Sequence, residues 1–121
     1  MNEKQKSYDL EDRTIKFSKE IINFLKKVKK DNINNPLINQ LVRSATSVGA
    51  NYCEANGASS KKDFKNKIYI CKKEAKETKY WLQLIGENNE ENKEDCRKYW
   101  KEAQELTMIF SKIIITLDNK K

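Results

Sequence analysis

The sequence predicts an all-α protein, an antiparallel up-down-up-down four-helix bundle, and three observations carry that expectation. Its 121 residues include only three glycines and one proline, so there is little material for turns and the elements must be few and long. Apolar residues recur at spacings of three and four in four separate stretches, the period of a helix with one buried face. The connections between those stretches are short, which makes consecutive helices antiparallel neighbours. A chain of this length builds one core rather than two, so residues 1–121 are read as a single domain.

Residues 1–8 are polar and read as loose. Helix one is expected over about residues 9–30, with Leu10, Phe17, Ile21, Phe24 and Val28 on its buried face. Ile15 and Ile22 lie seven apart on a different face, for which a monomeric bundle has no use. The helix ends in KKVKKDN, where Lys26, Lys27, Lys29 and Lys30 suit the negative end of the helix dipole. Asn35 is read as an N-cap and Pro36 as the first helical position of helix two, expected over about 36–57. Ser59 or Ser60 then caps helix three, with Asp63 as the acidic member of a capping box. That helix is expected over about 61–86, burying Phe64, Ile68, Cys71, Ala75, Thr78, Leu82 and Ile85. The segment GENNEENK reads as a loop. Helix four is expected over about 93–117, with Cys96, Tyr99, Ala103, Leu106, Phe110, Ile113 and Leu117 on a heptad, and Trp100, Ile109 and Ile114 widening its apolar surface. The final DNKK reads as a polar tail.

Helix two carries two stripes. Leu41, Ala45, Val48, Tyr52 and Ala55 face the core, while Arg43, Ser47, Asn51 and Glu54 form a polar row too regular for random surface. In an antiparallel pair that turns near residue 58, position 43 comes level with position 74. Arg43 is therefore expected beside Glu74 and Glu77, in a directional ion pair that fixes register more than it adds stability. Asn51 is expected to bond to backbone or to a neighbouring helix. The polar set is read as a structural network or interface.

Most enzyme chemistries lose a required part. With no histidine, Ser-His-Asp and Cys-His arrangements, histidine metal sites and the Arg-His ribonuclease motif of helical bundles are all excluded. Gly49, Gly57 and Gly86 are too far apart for a phosphate loop. Cys53, Cys71 and Cys96 are odd in number and lack C-x-x-C spacing, so they read as reduced cysteines used as small hydrophobes. Glu74 and Glu77 with Glu91, Glu94 and Asp95 superficially resemble the magnesium sites of all-helical nucleotide pyrophosphohydrolases, which keeps a metal-dependent enzyme as a remote alternative. Glu91 falls in a polar segment, however, and Glu94 suits a helix amino terminus. No catalytic residue, metal ligand or cofactor is assigned. No apolar run is long enough to cross a bilayer and the first residues lack a secretory signal, so the expectation is a cytoplasmic protein without a membrane partner.

What remains is charge and spare apolar surface. The net charge is +7, which draws polyanions. At 100° per residue, Lys61, Lys65, Lys72, Lys76 and Lys79 fall on one flank of helix three. These and Lys26, Lys27, Lys29 and Lys30 are the candidate contacts to RNA or DNA, with Tyr69 and Tyr80 projecting between lysines where they can stack on bases. Codon bias toward lysine supplies the same charge without such a partner, so a protein-interaction scaffold is the alternative. Ile15, Ile22, Ile70, Trp81 and Leu84 lie off the faces that close a monomer, and their burial against other copies predicts a homo-oligomer. Two different patches meeting head to tail give cyclic symmetry.

Two segments, RSATSVGANYCEA and KKEAKETKYWL, resemble the bacterial four-helix-bundle family first noted in intervening sequences of 23S ribosomal RNA genes. Arg43, Ser47, Val48, Asn51 and Glu54 fill the first part of the family pattern, and Glu74, Glu77, Trp81 and Leu82 the second. Many members carry Glu-Gly where Glu54 is followed here by Ala55, so helix two is expected to run straight on. The outer helices match in length and periodicity alone. The resemblance implies a ring of five, a number periodicity cannot supply, and an accessory role. Some relatives partner reverse transcriptases in diversity-generating retroelements, so a reverse transcriptase or other protein is an implied partner. Five copies at +7 each would carry about +35, enough to hold a nucleic-acid backbone without reading sequence.

Overall fold

A computed structural model describes the backbone of residues 3–119 and the side chains of residues 9–119. Four helices, α1 (Glu3–Leu25), α2 (Asn34–Asn56), α3 (Lys61–Asn88) and α4 (Lys93–Asn119), form an all-α bundle, and a 3-10 turn (Glu90–Asn92) joins the last two. Side-chain contacts give the directions. Cys53 Sγ donates to Glu11 Oε1 at 3.3 Å, whereas Gly49, one turn earlier on α2, faces Thr14, one turn later on α1. Likewise Cys71 meets the carbonyl of Val48, and Thr78 Oγ1 donates to Ser44 Oγ at 3.0 Å. On the last pair Lys65 meets Asp118, and fourteen residues further along α3 Lys79 meets Gln104, fourteen residues back along α4. Each helix is thus antiparallel to the next.

The core lies where the four apolar stripes meet. Phe17, Ile21, Phe24, Leu41, Val48, Ile68, Leu82, Ile85, Leu106 and Phe110 are fully buried. Ring pairs tie opposite helices together, Phe24 with Tyr99 at 5.5 Å and Tyr52 with Phe110 at 6.1 Å. The hydroxyls drawn into this core are paired: Thr14, Thr78 and Thr107 donate to the carbonyls of Glu11, Glu74 and Ala103. Their burial therefore leaves no orphaned polar group. Among the described residues no helix is long and apolar enough to cross a membrane.

Five details differ from the sequence reading. Helix one ends at Leu25 rather than near residue 30. Residues 26–28 wind into a tighter turn, and Lys30 Nζ donates to the carbonyls of Leu25 and Val28 at 2.7 and 2.5 Å. The backbone of residues 3–8, expected to be loose, already belongs to α1. Residues 1 and 2 at that end, and 120 and 121 of the expected polar tail, lie outside the described residues. Helix two starts two residues early, and its cap is Asp31, whose Oδ1 accepts from the amides of Ile33 and Asn34 at 3.0 and 2.7 Å. Pro36 still sits in the first turn, where a missing N–H costs nothing.

GENNEENK is not a loop. α3 runs through Gly86 to Asn88, and a Cβ on Gly86 would stand 3.1 Å from Cys96 Cβ. That glycine serves close helix approach and not a turn. Asn89, buried, exchanges amide hydrogen bonds of 2.8 and 3.0 Å with Asn34 and so ties the α3–α4 turn to the start of α2. On α4 the buried stripe runs Cys96, Ala103, Leu106, Phe110, Ile114, leaving Tyr99, Ile113 and Leu117 partly exposed. A straight helix drifts about 20° per heptad, so a strict seven-residue repeat leaves the core face within three heptads.

Candidate functional site

α3 divides the functional candidates between its two flanks. On the side facing α2, Arg43 Nη1 reaches both oxygens of Glu74 at 3.2 and 3.3 Å, Nη2 donates to Glu77 Oε2, and Nε donates to Gln40 Oε1 at 3.3 Å. Trp81 Nε1 adds a bond to the same Glu77 oxygen at 2.9 Å. Glu74 is only 9% exposed, so its charge needs that guanidinium. Ser47 Oγ donates to the carbonyl of Arg43 at 2.6 Å and Asn51 Nδ2 to that of Ser47 at 2.8 Å, both within α2. Glu54 stands apart from the cluster, exposed and 3.5 Å from Lys67. Glu74 and Glu77 are thus turned toward a cation of the protein itself, and Glu91 and Glu94 are exposed at the far end of the bundle. Among the described residues no group of acids and cysteines is placed to hold a metal ion.

The other flank, facing α4, is arranged differently. Among the described residues Lys61, Lys72 and Lys76 have no acidic partner, and neither do Lys62 and Lys73 on the outward midline of the helix, which the sequence reading passed over. Lys65 is tied to Asp118, and Lys79 is held by Gln104 with its ammonium 5.2 Å from the Trp100 ring centroid. At the end of α1, Lys26, Lys27 and Lys29 are unpaired and exposed, whereas the Lys30 ammonium is spent on two carbonyls. Tyr69 and Tyr80 are exposed among the lysines. Met108 and Ile115 on α4 join them, two residues missed at first although their spacing of seven is the signal that singled out Ile15 and Ile22.

Of the five residues expected at an oligomer contact, Ile15 and Ile22 are 41% and 40% exposed. Ile70 and Leu84 are half-buried, and Trp81 is half-buried with its ring against the core.

Between α1 and α4 runs an open cleft of about 730 Å³, lined by charges of both signs. Arg13 spans it, giving Glu102 two hydrogen bonds of 2.8 and 2.7 Å and Glu105 one of 2.9 Å. The bond to Glu102 pushes the Arg13 guanidinium pKa up, and the same bond holds the Glu102 carboxyl below the ordinary carboxylate range. The cleft's charges answer one another across the helices. Burial pushes the thiols of Cys71 and Cys96 up to about 12, and that of exposed Cys53 is raised by partial burial and by Glu11.

The molecule is thus a histidine-free basic helical bundle, with an Arg-carboxylate clamp on one flank of α3 and unpaired lysines on the other. This chain belongs to the 23S rRNA-intervening sequence protein family, whose model matches residues 6–112. It is similar to a protein with unknown function from the S23 ribosomal protein family of Bacteroides thetaiotaomicron. That crystal structure superposes with a TM-score of 0.80 at 33% identity, covering 90% of this chain and 97% of the other. Among curated proteins there is no match.

Proposed function

We propose that the protein is a non-enzymatic homo-oligomer that binds RNA or DNA through backbone charge, as an accessory to other machinery. The observation that carries this reading is the row Lys61, Lys62, Lys72, Lys73 and Lys76, whose ammonium groups have no acidic partner among the described residues, on the helix whose opposite flank matches its charges. Unmatched charges of one sign repel each other and gain most from a polyanion, which releases its condensed counterions on binding. Assembly multiplies that gain. Ile15 and Ile22 on α1, with Ile70, Trp81 and Leu84 on the α2 side of α3, offer contact surface away from the lysine row, and a ring of five follows from the family resemblance. A reverse transcriptase or another protein is the partner that the same resemblance implies for the accessory role.

Electrophoretic mobility shifts with RNA and DNA over a salt series test the binding. The expected outcome is affinity that falls steeply and linearly with log salt concentration. Absence of a salt-sensitive shift near physiological ionic strength would replace this function with that of a protein-interaction scaffold. Sedimentation tests the assembly: Ile22→Glu should shift the mass to that of one chain, and a single-chain mass for the unaltered protein removes the oligomer.

A further inference from the structure

The α3–α4 face has a composition that phosphate contacts alone do not call for. Its register is set by two ties, Lys65 to Asp118 and Lys79 to Gln104, equally spaced along the two helices in opposite directions. Carried along the same register, Tyr69 comes level with Ile114, next to Ile115, and Lys76 with Thr107, next to Met108. At 100° per residue Tyr69 and Lys76 point outward on the α4 side of α3, Tyr80, Lys62 and Lys73 lie along its outward midline, and Met108 and Ile115 point outward on the α3 side of α4. The exposures agree: Tyr69 is 46% exposed, Tyr80 57%, Met108 59% and Ile115 59%. Four large apolar or aromatic side chains thus stand in one band, interleaved with unpaired ammonium groups.

Two kinds of occupant are separable by charge. A second copy of this chain laid on the band would bury those ammonium groups, and the acids on the band do not neutralise them: Asp118 is already tied to Lys65, and Glu87 lies at its far end. A nucleic acid neutralises them. A duplex, however, keeps its base faces stacked inside and offers such a surface only sugar and phosphate. An unpaired strand offers phosphates to the lysines and base faces to the rings. The tyrosines are placed for that. They lie eleven residues apart on one helix, roughly 16 Å at 1.5 Å per residue, so several nucleotides fit between two stacked bases. Tyr80 is held edge-on by Trp81, at 4.9 Å and 74°, and Lys65 Nζ sits 6.0 Å from the Tyr69 ring centroid.

We infer that the α3–α4 face takes unpaired, single-stranded RNA or DNA, with its lysines along the phosphates, Tyr69 and Tyr80 stacked on bases, and Met108 and Ile115 beneath the nucleotides between them. This rests on the function proposed above and narrows its substrate class.

Fluorescence anisotropy with labelled oligo-uridine, oligo-thymidine and a blunt duplex of equal length separates the possibilities, and the two single strands report any preference for RNA over DNA. Both single strands should bind at least about tenfold tighter than the duplex. Tyr69→Ala with Tyr80→Ala should weaken single-strand binding by about tenfold or more per stacked base, with the salt slope and the duplex affinity unchanged. Both tyrosines are exposed, so helical circular dichroism and melting should match those of the unaltered protein. Equal affinity for single strand and duplex, unmoved by the tyrosine substitutions, overturns this inference and leaves the broader function standing. No binding to any of the three probes overturns both. A change in sedimenting mass on substituting the tyrosines assigns the face to a contact between copies and likewise overturns the inference.

Discussion

The two flanks of α3 both carry charged and aromatic side chains and do opposite things with them. Toward α2, Arg43, Glu74, Glu77 and Trp81 consume one another's hydrogen-bonding capacity. Outward and toward α4, Lys72, Lys73 and Lys76 form no ion pair among the described residues, and the exposed Tyr69, Tyr80, Met108 and Ile115 lie among them. Charge turned inward and matched sets a register; charge turned outward and unmatched stays available to solvent ions. Net charge alone cannot separate the two, since both flanks contribute to the same +7.

The largest expected effect falls on the outward flank. Replacing Lys72, Lys73 and Lys76 by Glu should lower nucleic-acid affinity by about 100-fold or more and reduce the log-log salt slope by about 3. Anisotropy titrations at several salt concentrations read both numbers, and an unchanged slope would erase the functional difference between the flanks. Next comes the inward flank. Arg43→Ala strands the buried Glu74 carboxylate and should cost about 2 kcal/mol in a urea titration, less than for a fully buried pair because the guanidinium is half in solvent. Adding Glu74→Gln should recover much of that loss, whereas Lys76→Ala should stay within about 0.5 kcal/mol. Equal costs for Arg43→Ala and Lys76→Ala would mean that neither flank is structural.

A smaller effect comes from the α1–α4 seam, where charges are matched but open to water. The folded pKa of Glu102 is depressed by Arg13, so its contribution is present above the unfolded value of about 4.3 and is lost as pH falls through the folded one. Glu102→Gln should flatten the acid limb of a melting-temperature profile and cost less than about 1 kcal/mol at neutral pH. A variant profile parallel to that of the unaltered protein would show that the pair does not act on stability. The smallest effect concerns the thiols: in the native protein only Cys53 should react with a thiol reagent, and all three cysteines in denaturant. Rapid modification of Cys71 or Cys96 in the folded state would contradict their burial.

Much of this was legible in advance, and for one reason. Helical period is a local property, so the bundle, the buried Phe17, Ile21, Leu82 and Phe110, and the meeting of Arg43 with Glu74 follow from spacing and from a turn near residue 58. Ser60, whose hydroxyl accepts from the Asp63 amide at 3.0 Å, is a local cap of the same kind. The misreadings share a cause too. Asn34, Asn35 and Asn89 are turn formers by composition, but Asn34 and Asn89 are buried because two connections at one end of the bundle come together. Gly86 reads as a break until Cys96 is seen to need the space. Met108 and Ile115 are passed over beside the apolar stripe of helix four, and only the rotation of that helix in the bundle turns them outward.

The sequence by itself determined the helices, their order and the residues able to face a core, because 3.6-residue periodicity and capping chemistry act within a few positions of the chain. Only the tertiary structure decided which charges were already spent. Whether a lysine is free or tied depends on what a distant helix places opposite it, as Asp118 does for Lys65 and no described residue does for Lys76. That is a fact about pairs of residues and not about either residue alone.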